Sequence, residues 1–268
     1  MKIYKAYAKV NIFLKITGKR EQYHEIISRF MKVQNLYDEL SFVSKEDVDA
    51  KVNEFKIIGD FSCQMQQNTI YKAYFALKEA THSEKLEQLM QTYAIKVEKN
   101  IPAFAGLGGG SSDAATYLKM CNEVLHLGLS LNELAMIGLK VGADVPFFIY
   151  GYNSANVSGI GEVVEEFDEE LLNIETYTPK VEISTPRVYR VYREDFYNPV
   201  DGFKREELKN MSSLDALKQM NPSEANDLFE PALREYKELK NHYKSGYHFS
   251  GSGSSFFRIQ EKKEVNNG

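Results

Sequence analysis

The chain has 268 residues, 43% of them hydrophobic and 26% charged, with 38 acidic side chains against 33 basic ones and a formal charge of −5. That balance excludes a strongly basic nucleic-acid binder as the default, and the length supplies a core that needs no disulfide staples. At roughly 150 residues per domain it predicts one large domain or two small ones.

The N-terminal Met1-Lys2-Ile3-Tyr4-Lys5 carries no apolar signal region, and no apolar run approaches the ~20 residues that span a bilayer. Cys63 and Cys121 lie far apart, as core or incidental thiols of a reduced, cytoplasmic protein do.

Residues 1–60 read as strands. Ile12, Leu14 and Ile16 alternate with Phe13 and Lys15, Gly18-Lys19-Arg20-Glu21-Gln22 reads as a turn, and strands near 25–34, 39–44 and 52–58 follow. In Ala8-Lys9-Val10-Asn11 a lysine and an amide sit two apart, on one strand face. An exposed edge strand and a lysine held inside for a purpose both fit. Asn68 is placed to cap a helix with Ile70, Ala73, Tyr74 and Leu77 on one face. A short charged helix near 84–91 and a strand near 93–99 come next.

Glycine then concentrates. The total of 17 is ordinary, yet Gly106, Gly108, Gly109 and Gly110 fall within five residues. Glycines allow positive φ and close approach to a ligand. Successive N–H groups make an anion-binding concavity. The helix expected from Ser111 to about His126 aims its positive end at the same place. Ser111 and Ser112 add hydroxyls, so the segment suits a polyphosphate. No lysine follows the glycines, which excludes a Walker A loop. Asp113 serves the helix dipole or a cap.

Ser130 is placed to cap a further helix carrying Leu131, Leu134 and Ile137. Gly142-Ala143-Asp144-Val145-Pro146 reads as a breaker before a strand over 145–150. Asp144 there fits a base and a turn residue alike. Beyond Gly161 the acidic stretch from Glu162 to Glu170 reads as a turn or solvated strand. Val181-Glu182-Ile183 reads as a short strand ended by Pro186, and three helical stretches cover about 187–241. A final strand carries Ser250-Gly251-Ser252-Gly253-Ser254-Ser255, a pocket wall or a hairpin. A boundary near 155–160 divides the chain into 1–155 and 156–268. No second histidine completes a zinc motif after His24-Glu25, and no Ser-His-Asp signature is present.

The Ala-Lys-Val-Asn start, the Tyr23-His24 pair, the Gly106–Ala115 loop and Gly-Ala-Asp-Val-Pro-Phe-Phe, in this order, resemble the GHMP small-molecule kinase superfamily from Ala8 to about Phe257. Within it they are most similar to the branch acting on 4-(cytidine 5'-diphospho)-2-C-methyl-D-erythritol. The resemblance implies an α+β fold with a ribosomal-protein-S5-like N-terminal domain and a ferredoxin-like C-terminal domain. It implies ATP-dependent phosphorylation of the substrate's 2-hydroxyl in the non-mevalonate (methylerythritol phosphate) isoprenoid precursor pathway. ATP is then the co-substrate and Mg2+ is expected, with no carboxylate assigned as its ligand. The implied partners are these small molecules, without nucleic acid or membrane, and the oligomeric state is left open.

Residue by residue, the resemblance makes Asp144 the base and Lys9 the cation beside it. Asn11 would orient the methylerythritol part, Tyr23 and His24 would recognise cytosine, and Tyr189 would close over the base. Gly106, Leu107, Gly108, Gly109, Gly110, Ser111 and Ser112 would wrap the ATP phosphates, with Asn68 and Lys99 near the adenosine. Three departures stand out. Glu21-Gln22 replaces the usual Asp-Gly in a loop one residue shorter. Phe104 stands where smaller residues are common, narrowing the mouth of the phosphate loop. The chain stops soon after Phe257 in a frayed tail from Lys262, so an abbreviated second domain is expected. Rival readings are a GHMP kinase for mevalonate derivatives, homoserine or a sugar, a catalytically dead sensor, and a structural α+β protein. The first would lack the Tyr-His pair, the second would lack Asp144 or Lys9, and the third leaves the glycine cluster unexplained.

Overall fold

The computed structural model describes residues 2–48, 50–51 and 54–260. Part of the strand expected near 52–58 and the tail from Lys262 lie outside the described residues. The chain forms two compact units, and neither is a single stretch. The first takes Met1–Ala8, Asn35–Ala103 and Gly108–Tyr152; the second takes Lys9–Gln34, Phe104–Leu107 and Asn153–Gly268. The single cut expected at 155/156 differs from this division, because the second unit also draws two segments from the N-terminal half.

Strand β1 (Tyr4–Arg20) turns through Glu21-Gln22 into β2 (Tyr23–Ser44), and the two pair. β2 is one strand where two were expected, and it contributes to both units. In the first unit its C-terminal part pairs antiparallel with β4 (Tyr93–Glu98), which pairs parallel with β3 (Ile57–Ile58). Helices α1 (Thr69–Thr81), α2 (Glu84–Thr92), α3 (Gly109–Leu125), α4 (Leu131–Leu139) and α5 (Val145–Tyr150) complete that unit. Their starts follow local chemistry. Asn68 accepts from the Ile70 N–H, Ser83 from Leu86, and Ser130 with Glu133 forms a capping box. Ile70, Ala73 and Leu77 of α1 and Ala114, Leu118 and Cys121 of α3 are buried, and the two helices pack together. Burial pushes the Cys121 thiol up to about 12, so it is an inert core residue.

The segment Val145–Tyr150 is a helix and not the expected strand. Its first five residues are buried, and Pro146 sits in the first turn, where a missing N–H costs nothing.

In the second unit the N-terminal part of β2 pairs antiparallel with β5 (Ser154–Gly159), which pairs with β6 (Val163–Glu166). A second sheet has the order β7-β9-β8, from β7 (Ile174–Tyr177), β8 (His248–Phe249) and β9 (Phe256–Ile259). Helices α6 (Thr185–Val191), α7 (Gly202–Asn210), α8 (Ser213–Gln219), α9 (Pro222–Ala225) and α10 (Phe229–Glu235) accompany it. Leu14, Ile16, Val188, Tyr192, Phe229, Phe249 and Phe256 belong to one buried cluster. Val181 and Ile183 alternate inward as a strand would, but they pair with no strand among the described residues.

Candidate active site

The second unit holds Lys9, only 3% exposed, which excludes the exposed-edge reading. Its Nζ donates to Asn11 Oδ1 at 2.7 Å and lies 4.3 Å from the Phe30 ring centre. Asn11 Nδ2 donates to Ser28 Oγ at 2.9 Å, and Ser28 donates to the Phe13 carbonyl at 2.5 Å. The Asn11 side chain is thereby fixed in one flip with its oxygen toward the ammonium. The Asn11 N–H donates to Ser250 Oγ, and that hydroxyl donates to the Gly106 carbonyl at 3.0 Å. The Lys9 N–H donates to the Leu107 carbonyl at 3.0 Å. The Ser250–Ser255 loop is therefore a brace for the start of the glycine loop. Sequence reading named that loop only as a weak feature, because its partners lie more than 140 residues away.

The glycines differ in what a side chain would meet. Gly106 and Gly108 both have φ +72°, and a Cβ on Gly106 would lie 2.2 Å from the Ser250 carbonyl oxygen. In the first unit a Cβ on Gly109 would lie 2.9 Å from Ile101, and one on Gly110 3.2 Å from the Thr69 hydroxyl, which donates to the Gly110 carbonyl. Gly108 is the N-cap of α3 and offers no side chain, so the first-turn N–H groups face outward from bare backbone. Phe104, at φ 52°, is 51% exposed at the start of this loop. The Ser111 hydroxyl lies beside Gly142, two residues before Asp144. Asp144 caps α5 by position without a side-chain cap bond. Asn68 is used as the cap of α1.

Lys99 is bound within the first unit. Its ammonium pairs with Asp38 and, at 2.6 Å, with Asp113, and only 17% of its side chain is exposed. Asp38 also accepts from the Asn100 and Ile101 N–H groups. Asp113 belongs to α3 and Asp38 lies beside Gly109, so the triad ties the start of α3 to β2. Asp113 neither caps nor serves the dipole. Burial, with Asp38 adding to it, pushes its carboxyl up to about 7 against the pull of Lys99. A folded-state value above the unfolded one means the folded protein binds the extra proton between about pH 4 and 7. This group's contribution to stability therefore falls as pH rises through that window. Urea denaturation across pH 4–8 is expected to show that decline in the wild type and a flatter profile in Asp113→Asn; identical profiles would contradict the assignment. Asp38 was not singled out from sequence, since a lone aspartate in a strand carries no local signal.

The second unit also forms a cavity of about 560 Å³ lined by Tyr23, His24, Thr185, Tyr189, Arg190 and Arg193 among others. The His24 ring stacks on Tyr189 at 5.2 Å and meets Tyr192 edge-on at 5.8 Å. His24 is buried, and its Nε2 has no hydrogen-bond partner among the described residues. Burial first, then Arg193 and Lys19, lowers its pKa, so the ring is neutral at pH 7 and offers one donor and one acceptor. Tyr23 is 53% exposed at the rim. Glu21 takes the positive φ of 54° in the turn where the usual glycine is missing, and the pair still lines the cavity. Sequence reading placed Tyr23, His24 and Tyr189; it missed Thr185, Arg190 and Arg193.

Among the described residues no group of three or more His, Cys, Asp or Glu side chains could hold a metal ion. No described helix is long and apolar enough to cross a membrane.

Residues 68–152 match the model of the GHMP kinases N terminal domain. A 4-diphosphocytidyl-2-C-methyl-D-erythritol kinase of Sulfurimonas denitrificans is 71% identical over 268 residues, covering 99% of each chain. One from Campylobacter jejuni subsp. doylei is 41% identical over 95% of this chain and 99% of its own. A solved 4-(cytidine 5'-diphospho)-2C-methyl-D-erythritol kinase matches with a TM-score of 0.70 and 28% identity, over 97% of this chain and 90% of that one. Methanococcus jannaschii mevalonate kinase, at 14% identity and a TM-score of 0.57 over 97% of this chain and 90% of its own, shares the fold alone. With the glycine loop, the buried lysine-amide pair and the histidine cavity all in place along a chain so close to these relatives, the protein belongs to the 4-diphosphocytidyl-2-C-methyl-D-erythritol kinase family of GHMP kinases.

Proposed function

We propose that the protein transfers the γ-phosphoryl group of ATP to the 2-hydroxyl of 4-(cytidine 5'-diphospho)-2-C-methyl-D-erythritol. The observation that carries phosphoryl transfer is the phosphate loop, two positive-φ glycines leading into the bare N-terminus of a 17-residue helix. The cytidine-linked acceptor is supported by the names of the relatives and by His24, whose buried Nε2 has no hydrogen-bond partner among the described residues, in an aromatic cavity.

In the proposed reaction the substrate oxygen attacks the γ-phosphorus, the bond to the β-phosphate bridging oxygen breaks, and ADP leaves. Asp144 accepts the hydroxyl proton. The Lys9 ammonium, oriented by Asn11, stabilises charge on the attacking oxygen, and the loop N–H groups stabilise charge on the phosphoryl oxygens. Tyr23, His24 and Tyr189 hold the cytosine. Mg2+ is proposed to arrive with the ATP phosphates; no step here is assigned to it. The protein is proposed to work in the cytoplasm.

Turnover measured as ADP release is expected with the cytidine-linked alcohol and to be absent with mevalonate, homoserine and galactose. Turnover of mevalonate or homoserine, with none of the cytidine-linked alcohol, would contradict the reading. His24→Ala is expected to raise the KM for this substrate by about 10-fold or more while leaving the ATP KM within about 2-fold, since one to two hydrogen bonds and a stacking face are lost. Equal rises in both constants would remove the cytosine role.

A further inference from the structure

The cavity beside His24 carries more positive charge than a neutral base requires. Arg190 and Arg193 both line it. They stand three apart where α6 continues into the π-helical turn Tyr192–Phe196, and side chains at that spacing share a face. Single π turns within helices frequently mark functional positions. The one acid paired with them among the described residues is shared with a third arginine. Glu235 pairs closely with Arg187, at 2.5 Å, and is 3.8 Å from Arg190. No ion-pair partner of Arg193 is seen among the described residues. Lys19 adds a third cation, 4.1 Å from the Tyr197 ring centre, and Tyr197 lies against His24.

Two chemistries are thus side by side. His24 is buried and neutral, a reader of hydrogen-bonding edges. The arginines are exposed, permanently charged and shaped for bidentate contact with phosphate oxygens. We infer that Arg190 and Arg193 bind the diphosphate of the cytidine nucleotide, so the cavity selects a nucleoside diphosphate over the bare nucleoside. This rests on the reading that the cavity takes cytidine, and it adds two specificity residues to it.

The test is calorimetric titration of the full chain with cytidine, cytidine monophosphate and cytidine diphosphate, with the ATP site filled by a non-hydrolysable ATP analogue. The wild type is expected to bind the diphosphate at least about 30-fold more tightly than cytidine, and less so as salt rises. Arg193→Gln, and more so Arg190→Gln/Arg193→Gln, is expected to shrink that ratio by about 10-fold or more, with the cytidine affinity within about 2-fold of wild type. Retained cytidine affinity reports that the cavity is still folded. Arg193→Lys is expected to restore part of the ratio, as a point charge without the fork. An unchanged diphosphate-to-cytidine ratio in both glutamine variants overturns the proposal alone. A wild type that binds none of the three ligands overturns it together with the cytidine reading beneath it.

Discussion

Asp144→Asn is expected to leave ATP affinity within about 2-fold and to cut phosphoryl transfer by about 10²–10⁴-fold, the usual worth of a positioned general base. That is about 3–5 kcal/mol of barrier. The change is nearly isosteric, and Asp144 makes no side-chain cap bond that α5 would lose. Folding is therefore expected to survive, with a urea midpoint close to wild type. Single-turnover transfer under saturating ATP separates chemistry from binding. Activity within about 3-fold of wild type would remove Asp144 as the base, because acid–base roles are seldom worth so little.

The largest structural effect is expected at Gly106. In Gly106→Ala the added Cβ would meet the Ser250 carbonyl oxygen at 2.2 Å, and the backbone there is at φ +72°. That carbonyl cannot retreat cheaply. The Ser250 N–H donates to Ser255, and the Gly253 N–H returns to the Ser250 carbonyl. Asn226 Nδ2 holds the carbonyls of Phe249 and Gly251 on either side. The loop and its brace must separate, at a cost of about 3 kcal/mol or more. The ATP KM is expected to rise at least about 10-fold. Gly128 supplies the control. It has the same φ of +72°, yet a Cβ there meets nothing within 4 Å. Gly128→Ala is expected to cost about 1 kcal/mol from backbone strain alone, with normal ATP binding. Equal losses at the two positions in urea denaturation would mean that the contact with Ser250 carries no weight.

What could be read in advance was what local chemistry decides. Asn68 and Ser130 announce their helices, because a cap and an amphipathic stripe sit within one turn of each other. The glycine cluster announced a tight turn into a helix N-terminus for the same reason. The failures share another cause. Val145–Tyr150 is a run of six with almost every side chain buried, so it carries neither a helical nor an alternating pattern. Pro146 was read as a breaker when it marks a first helical turn. β2 passes through Gln34 and Asn35 without a turn, and it is the residues on either side that pair with strands distant in sequence, 26–31 with β5 and 39–44 with β4. Val181 and Ile183 have the right alternation but no strand partner among the described residues. Of the residues named through family resemblance, Lys9 and Asn11 meet in one buried hydrogen bond, and His24 and Tyr189 line one cavity. Lys99 was read toward adenosine, and its pairing with Asp38 and Asp113 had no signal in the sequence. Arg190 and Arg193 look like any charged face of a surface helix until the cavity is seen.

The most direct measurement is 31P NMR of the product formed from ATP and the cytidine-linked alcohol. The expected spectrum gains one phosphomonoester resonance on the erythritol 2-oxygen, keeps the substrate's diphosphate resonances, and shows one ADP per new ester. A chain that hydrolyses ATP without forming that ester, or that places phosphate on the diphosphate end, would contradict the account.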